Sequence, residues 1–246
     1  MAPNLLLIDI GNTRVKALLC KREGKSTPIA LETPEALLSW TTSPIAYIDT
    51  RLDPQWRSTL EKIGAEELSV ERGFPVPTRY SKRLGPDRAA QLIAVWHART
   101  YPALIISLGT ACVIDYIDKT GEHQGGIITA GLHLRAEALA QSTGRLPKVT
   151  FHPNPPLWGQ DTSEALQAGL LLGMAFELRG WIETFGKLTP PTLWVSGGEA
   201  ELLRPYLPDH AIFVPDLTLC GACLWWHFLH TGEFPSSSSP CGLSLP

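Results

Sequence analysis

The alternation of apolar and polar positions along this chain predicts strands and helices in turn. In LLLIDIGNTRVKALL, residues 5–19, an apolar run stops at Asp9, turns through Gly11-Asn12-Thr13 and resumes as an alternating strand. TPEALLSW predicts a short helix, IAYIDT a strand, and PQWRSTLEKIG a helix with proline near its start. ERGFPVPTRYSKRLGP, residues 71–86, is rich in proline, glycine and charge and predicts an exposed loop. DRAAQLIAVWHART has the apolar spacing of a helix. ALIISLGTACVIDYID, residues 103–118, then repeats the opening pattern of strand, small-residue turn and strand. Asp9-Ile-Gly-Asn-Thr13 and Ser107-Leu-Gly-Thr-Ala111 both place glycine two residues on, with hydroxyl-bearing residues after it. Two such copies predict two similar lobes facing one another.

The rest of the pattern continues in the same way. QGGIITAG predicts a strand into a glycine turn, LHLRAEALAQS a helix, and DTSEALQAGLLLGMAFELRGWIETF a long helix that Asp161 or Thr162 can cap. TLWVSGGEAELL predicts strand, Gly-Gly turn and helix, AIFVPD a strand, and LTLCGACLWWHFLH a closing helix. TGEFPSSSSPCGLSLP is low in complexity and is expected to be disordered. Strands alternating with helices set the fold class as α/β with mixed sheets flanked by helices.

Composition narrows the function. The 246 residues are 44% hydrophobic and 18% charged, with a net charge of −3. No basic block argues for nucleic acid or an anionic membrane. MAPNLLLIDI lacks a basic leader, and no window is apolar enough to span a membrane, so neither a signal peptide nor a membrane anchor is expected. Five scattered cysteines, Cys20, Cys112, Cys220, Cys223 and Cys241, do not form a disulfide pattern, and Cys220 and Cys223 sit in an apolar run as small core residues. A reduced, cytoplasmic protein is expected.

The glycine turns carry the candidate chemistry. A tight turn after a strand points several backbone N–H groups one way, and glycine lets a phosphate approach. One such turn alone reads as a β-hairpin. Two matched turns, with a third at Ser196-Gly197-Gly198, favour phosphate binding. Thr13 and Thr110 add hydroxyl donors, Asp9 suits Mg²⁺ or its waters, and Lys16 can offset phosphate charge. Gly24-Lys25-Ser26-Thr27 resembles the end of a P-loop, but position 19 is leucine where that motif needs glycine. Gly85-Pro86-Asp87-Arg88 opens a helix. Asp87 there is either a first-turn acid or a general base beside an arginine anion clamp. The tryptophans and His97, His227 and His230 read as packing or surface residues.

Six pieces in order, DIGNTRVK, GPDR, SLGTACVID, GGIITAG with EALAQSTGRLPKV, GQDTSEALQAG, and SGGEA, resemble type III pantothenate kinases. The resemblance implies an actin/hexokinase-like (ribonuclease H-like) fold and a homodimer with its active site near the interface. It also implies ATP-dependent phosphorylation of the hydroxyl of pantothenate, the first step to coenzyme A. It assigns Asp9, Gly11, Asn12, Thr13 and Lys16 to the first phosphate turn, Gly109 and Thr110 to the second, and Gly197 and Gly198 to the adenosine. Tyr80, Gly85, Pro86, Asp87, Arg88 and Thr162 fall to pantothenate, with Asp87 as proton acceptor. The repeat and the low-complexity tail divide the chain into an N-terminal lobe of residues 1–102, a C-terminal lobe of 103–232 and a disordered tail of 233–246. Ser107 stands where the family usually has an aspartate that binds K⁺ or NH₄⁺, so weaker monovalent-cation binding is expected. A different small-molecule kinase, or a non-enzymatic regulator on the same scaffold, are the competing readings.

Overall fold

The structure, a computed structural model, describes residues 5–20, 27–40, 44–187 and 189–235. The P-loop lookalike at 24–26 and tail residues 236–246 lie outside them. The described residues fall into two compact units. The first takes its residues from Met1–Thr100, Gly121–Gln124 and Asp216–Pro246, the second from Tyr101–Thr120 and Gly125–Pro215.

The first unit is built on β1 (Leu5–Ile10), β2 (Val15–Cys20), β3 (Ile29–Leu31), β4 (Ile45–Asp49) and β5 (Glu66–Glu67), in the order β3-β2-β1-β4-β5. The β1 run Leu5 to Ile8 is apolar without a break because the central strand is covered on both faces. β1 and β2 are an antiparallel hairpin from Leu5↔Cys20 to Ile10↔Val15, and β4 runs parallel to β1. The hairpin and the phosphate-turn readings are therefore compatible at residues 11–14. Helix α1 (Pro54–Lys62) starts on Asp53, whose carboxylate accepts from the Gln55 N–H at 2.9 Å. Helix α2 is Pro86–Ala98.

The closing helix, Leu217–Thr231, belongs to this first unit and not to the C-terminal lobe expected for it. Its apolar residues pack on α2, β1 and β4. Gly221 lies on the Ala90 carbonyl, where a Cβ would meet that oxygen at 1.7 Å, so only glycine lets the two helices come this close. Leu219, Leu224 and Trp225 are buried, at about 1.5–3 kcal/mol for a leucine. The Trp225 indole N–H donates to the Gly73 carbonyl at 2.7 Å. Phe234, expected in the disordered tail, packs its ring against Trp96, His97 and Phe228. Cys20, Cys112 and Cys220 are free and buried, whereas Cys223 is disulfide-bonded, contrary to the expectation of reduced cysteines throughout.

The expected exposed loop at 71–86 is pinned at its middle. The His123 N–H donates to the Pro77 carbonyl at 2.8 Å, and the Arg79 N–H donates to the His123 carbonyl at 3.0 Å. This short bridge draws residues 121–124 into the first unit, so the boundary is not the single cut after residue 102 that the repeat suggested.

The second unit repeats the plan with β6 (Ala103–Leu108), β7 (Ala111–Ile117), β8 (His123–Ala130), β9 (Thr192–Ser196) and β10 (Ile212–Phe213), in the order β10-β9-β6-β7-β8. The hairpin β6/β7 corresponds to β1/β2, and the parallel neighbours β9 and β10 correspond to β4 and β5. Helices α3 (Leu132–Ser142), α4 (Thr162–Gln167), α5 (Gly173–Gly186) and α6 (Ala200–Leu203) accompany this sheet. α4 continues into α5 through a π-helical turn, Ala168–Leu172. Asp161 is the cap, its carboxylate accepting from the Glu164 N–H at 2.8 Å, so Thr162 is the first helical residue and not the cap.

Candidate active site

In the first unit, Asp9 lies near the end of β1 directly opposite Lys16 on β2. Cross-strand partners put their side chains on the same face. The Lys16 ammonium donates to Asp216 Oδ1 at 2.8 Å. Asp216 immediately precedes the closing helix, and Asp87 occupies the first turn of α2. The close crossing of these helices at Gly221 and Ala90 brings both acids to bear on Asp9. Burial first, and then the charge of Asp87, push the Asp9 carboxyl up to about 7 from 3.8; Lys16 opposes this and Asp216 adds to it. Ionised Asp9 therefore wants a cation that Lys16, engaged with Asp216, supplies only in part.

Among the described residues no group of three His, Cys, Asp or Glu side chains forms a metal cage. The donor set fits Mg²⁺, which is held by one or two carboxylates together with waters and phosphate oxygens. It does not fit a metal held by protein alone.

At the start of α2, Gly85 is the cap residue and Pro86 the first helical residue. A Cβ on Gly85 would lie 2.7 Å from Asp87 Oδ1, so the carboxylate is folded back against the glycine. Arg88 is buried, and its guanidinium lies 4.5 Å from the centre of the Tyr80 ring, a cation–π contact. His123, fully buried, also stacks on Tyr80, at 5.9 Å, and is hydrogen-bonded through Nδ1 to Thr78 Oγ1 at 2.8 Å. Tyr80 also lines a cavity of about 360 Å³ with Thr78, Ser81, Lys82, Phe74 and Leu84. A larger recess of about 560 Å³ opens beside Thr13, Arg14, Arg51 and Trp56, and neither Asp9 nor Asp87 lines it.

The two hairpin turns share a detail. The Gly11 N–H donates to the Arg14 carbonyl, and the Gly109 N–H donates to the Ala111 carbonyl, each at 3.1 Å. Each glycine amide closes its own turn, and the residues after it are exposed: Asn12 and Thr13 in one turn and Thr110 in the other.

In the second unit, three turns are packed together. A Cβ on Gly131 would lie 1.8 Å from the Gly109 carbonyl oxygen, and the Gly131 N–H donates to the Thr110 carbonyl at 2.9 Å. Gly197 has φ +101 and lies on the Leu108 carbonyl, where a Cβ would come within 2.1 Å. Both glycines are required by close backbone approach. Gly198 has open space around it. Ser107 pairs with Val113 on one side and Ser196 on the other. Thr162 is exposed on the same unit.

Of the residues expected from sequence, Asp9, Lys16 and Asp87 converge, and Tyr80 is joined to Arg88. Gly109 and Thr110 are joined to Gly197 through Leu108, and to Gly131. Asp216 was missed, although an aspartate just before an apolar helix is a recognisable helix-start signal. Glu199, whose N–H donates to the Leu108 carbonyl, and its partner His133 were missed because only the fold brings them to the second-unit turns, and His123 because only the fold brings it to Tyr80.

Residues 45–184 match the family model described as type III pantothenate kinase. A type III pantothenate kinase of Thermomicrobium roseum is 32% identical over 181 residues, 68% of this chain and 69% of the relative. That of Alkalilimnicola ehrlichii is 29% identical over 245 residues, 89% of this chain and 96% of the relative. That of Phocaeicola vulgatus is 38% identical, and the alignment spans 57% of its length. A solved structure from Campylobacter jejuni, assigned to the Baf family of transcriptional activators, superposes with a TM-score of 0.63 at 24% identity, covering 88% of this chain and 94% of that one. The activator of the 2-hydroxyisocaproyl-CoA dehydratase from Clostridium difficile, with bound ADPNP, superposes at 0.53 and 13% identity, over 94% and 96% of the two chains. These two likenesses bear on the fold, which is the actin/hexokinase-like one. The chain belongs to the type III pantothenate kinase family.

Proposed function

We propose that the protein transfers the γ-phosphoryl group of ATP to the hydroxyl of pantothenate, giving 4′-phosphopantothenate in the first step of coenzyme A synthesis. Within the family, the observation that carries this is the convergence of Asp9, Lys16 and Asp87 in one unit. Asp9 holds Mg²⁺, directly or through water. The cation, when bound, supplies charge neutralisation to the phosphate oxygens. Lys16, Asn12 and Thr13 add donors to the phosphate chain, and Gly109 and Thr110 form the second phosphate turn. Gly197 and Gly198 lie against the adenosine. Tyr80, Arg88, Gly85, Pro86 and Thr162 hold pantothenate, with the Arg88 guanidinium suited to its carboxylate. Asp87 orients the acceptor hydroxyl. The hydroxyl oxygen bonds to the γ-phosphorus as the bond to the ADP oxygen breaks, and the hydroxyl proton passes to Asp87. A cytoplasmic homodimer is part of this proposal. Exposed Ile128, Trp158 and Phe176 in the second unit support a contact with a second copy.

An acceptor panel with γ-labelled ATP tests the substrate. Pantothenate is expected to take the label far ahead of sugars or acetate; equal labelling of a sugar would remove the assignment. The same assay titrated with K⁺ at fixed Mg²⁺ reads the Ser107 substitution. A hydroxyl keeps an oxygen ligand but no charge, so K⁺ is expected to saturate weakly and to stimulate turnover only partially. A tight, absolute K⁺ requirement would contradict it.

The rotamer of Asp87 gives a further expectation. Gly85→Ala must swing the Asp87 carboxylate aside, because its new Cβ would sit 2.7 Å from Oδ1. The displaced atom is the end of a side chain, so folding should survive, while turnover falls about 10- to 100-fold. Unchanged kcat in a normally folded Gly85→Ala protein would show that this placement of Asp87 is not the one used.

A further inference from the structure

We infer that the imidazole Nε2 of His133 hydrogen-bonds a ribose hydroxyl of the bound nucleotide, and that Glu199 is the positioning residue that holds it there. This deepens the proposed function and rests on its assignment of the second phosphate turn and the adenosine turn.

Glu199 is only 6% exposed. Its carboxylate is fully engaged. Oε2 accepts from the Leu132 N–H at 2.9 Å, and Oε1 accepts from the His133 N–H at 3.0 Å and bonds His133 Nδ1 at 2.7 Å. The first amides of α3, which could otherwise bind an external anion, are thus capped from inside the unit. α3 does not offer a phosphate site here; it offers a fixed histidine.

The direction of that histidine follows from donor chemistry. An ionised carboxylate only accepts, so Nδ1 carries the proton in the bond to Glu199. Nε2 is then the ring's free polar atom, an acceptor in the neutral ring and a donor in the protonated one. The His133 side chain is 61% exposed, and its ring is braced edge-on by Phe151 at 5.3 Å. A ring nitrogen fixed on two sides and open on the third suits a hydroxyl, which can donate or accept.

Position identifies which hydroxyl. The residue before α3, Gly131, is bonded to Thr110 of the second phosphate turn. Glu199 follows Gly197 and Gly198 of the adenosine turn, and its own N–H donates to the Leu108 carbonyl at 3.1 Å. His133 is therefore tied by one or two bonds to both turns. In a nucleotide, the group that joins phosphate to base is the ribose.

Direct titration of the full-length protein with ADP, 2′-deoxy-ADP and 3′-deoxy-ADP tests this without requiring turnover. Wild type is expected to bind one deoxy analogue about 5- to 10-fold more weakly than ADP, the loss of one hydrogen bond. His133→Ala should bind ADP weaker by the same factor, treat all three alike and melt where wild type does. His133→Gln, which keeps an acceptor, should recover part of the discrimination. Glu199→Gln should lose the discrimination as well; a merely structural Glu199 would lower the melting point and leave the discrimination intact. Equal binding of all three by wild type, or discrimination preserved in His133→Ala, would overturn the inference. A wild type that shows this pattern but phosphorylates no pantothenate would refute the proposed function alone. One that phosphorylates pantothenate without discriminating the deoxy nucleotides would refute this inference alone.

Discussion

Asp9→Asn is expected to stabilise the metal-free protein at neutral pH and to abolish its turnover. The folded protein holds the Asp9 carboxyl at about 7, against 3.8 without the surrounding structure. Between those values the folded state keeps a proton that the unfolded state has released. Stability contributed by that proton is present below about pH 4 and is lost as pH rises through 7. At about 1.4 kcal/mol per unit, the full penalty above pH 7 is about 4 kcal/mol. Asparagine carries no charge to desolvate. At pH 8 the variant should therefore melt several degrees above wild type, and at pH 4 the two should converge. Added Mg²⁺ should narrow the gap at pH 8 by stabilising wild type selectively. Phosphoryl transfer should fall by about 10² or more, since the carboxylate that would hold the cation is gone. Thermal melts at the two pH values check the electrostatic half. Identical melting at both would mean that burial and the neighbouring acids do not strain Asp9.

Asp87→Asn carries the second large effect. Removing a positioned proton acceptor is worth about 10²- to 10⁴-fold in rate. The loss should appear in kcat, with KM for ATP little changed, because Asp87 is assigned to the acceptor hydroxyl. There is a second readout that a purely structural residue would not produce. Asp87 is the largest charge raising the Asp9 carboxyl, after burial itself. Its neutralisation should lower Asp9 toward the usual carboxylate range and recover part of the stability seen in Asp9→Asn at pH 8. Undiminished turnover in Asp87→Asn would remove the base from the mechanism.

How much of this was legible in the sequence depends on the scale at which each feature is encoded. The repeated strand–turn–strand was legible because its signal is local: apolar runs, a glycine and hydroxyl residues within fifteen positions. It reappears as two sheets of matching strand order. Asp9, Lys16 and Asp87 were legible for the same reason, each sitting in a short pattern with its own chemistry. The closing helix was misassigned because its apolar residues say that it is buried and do not say against what; Gly221 on Ala90 decides that, across more than a hundred residues of chain. The cap stayed open between Asp161 and Thr162 because both are good cap residues, and only the backbone at Asp161, extended at φ −136, chooses. Asp216 and Glu199 were invisible as site residues. Their partners, Lys16 and the start of α3, lie 200 and 66–67 residues away. A lone acid in a helix-start pattern is ordinarily no more than that.

The acid cluster around Asp9 and Asp87 is proposed to serve phosphoryl transfer to pantothenate. The most direct measurement is mass-spectrometric detection of 4′-phosphopantothenate from purified protein with ATP, Mg²⁺, K⁺ or NH₄⁺, and pantothenate. Stoichiometric product with wild type, and product reduced at least 10²-fold with Asp87→Asn, is the predicted result. No product from folded wild type, or equal product from both proteins, would contradict it.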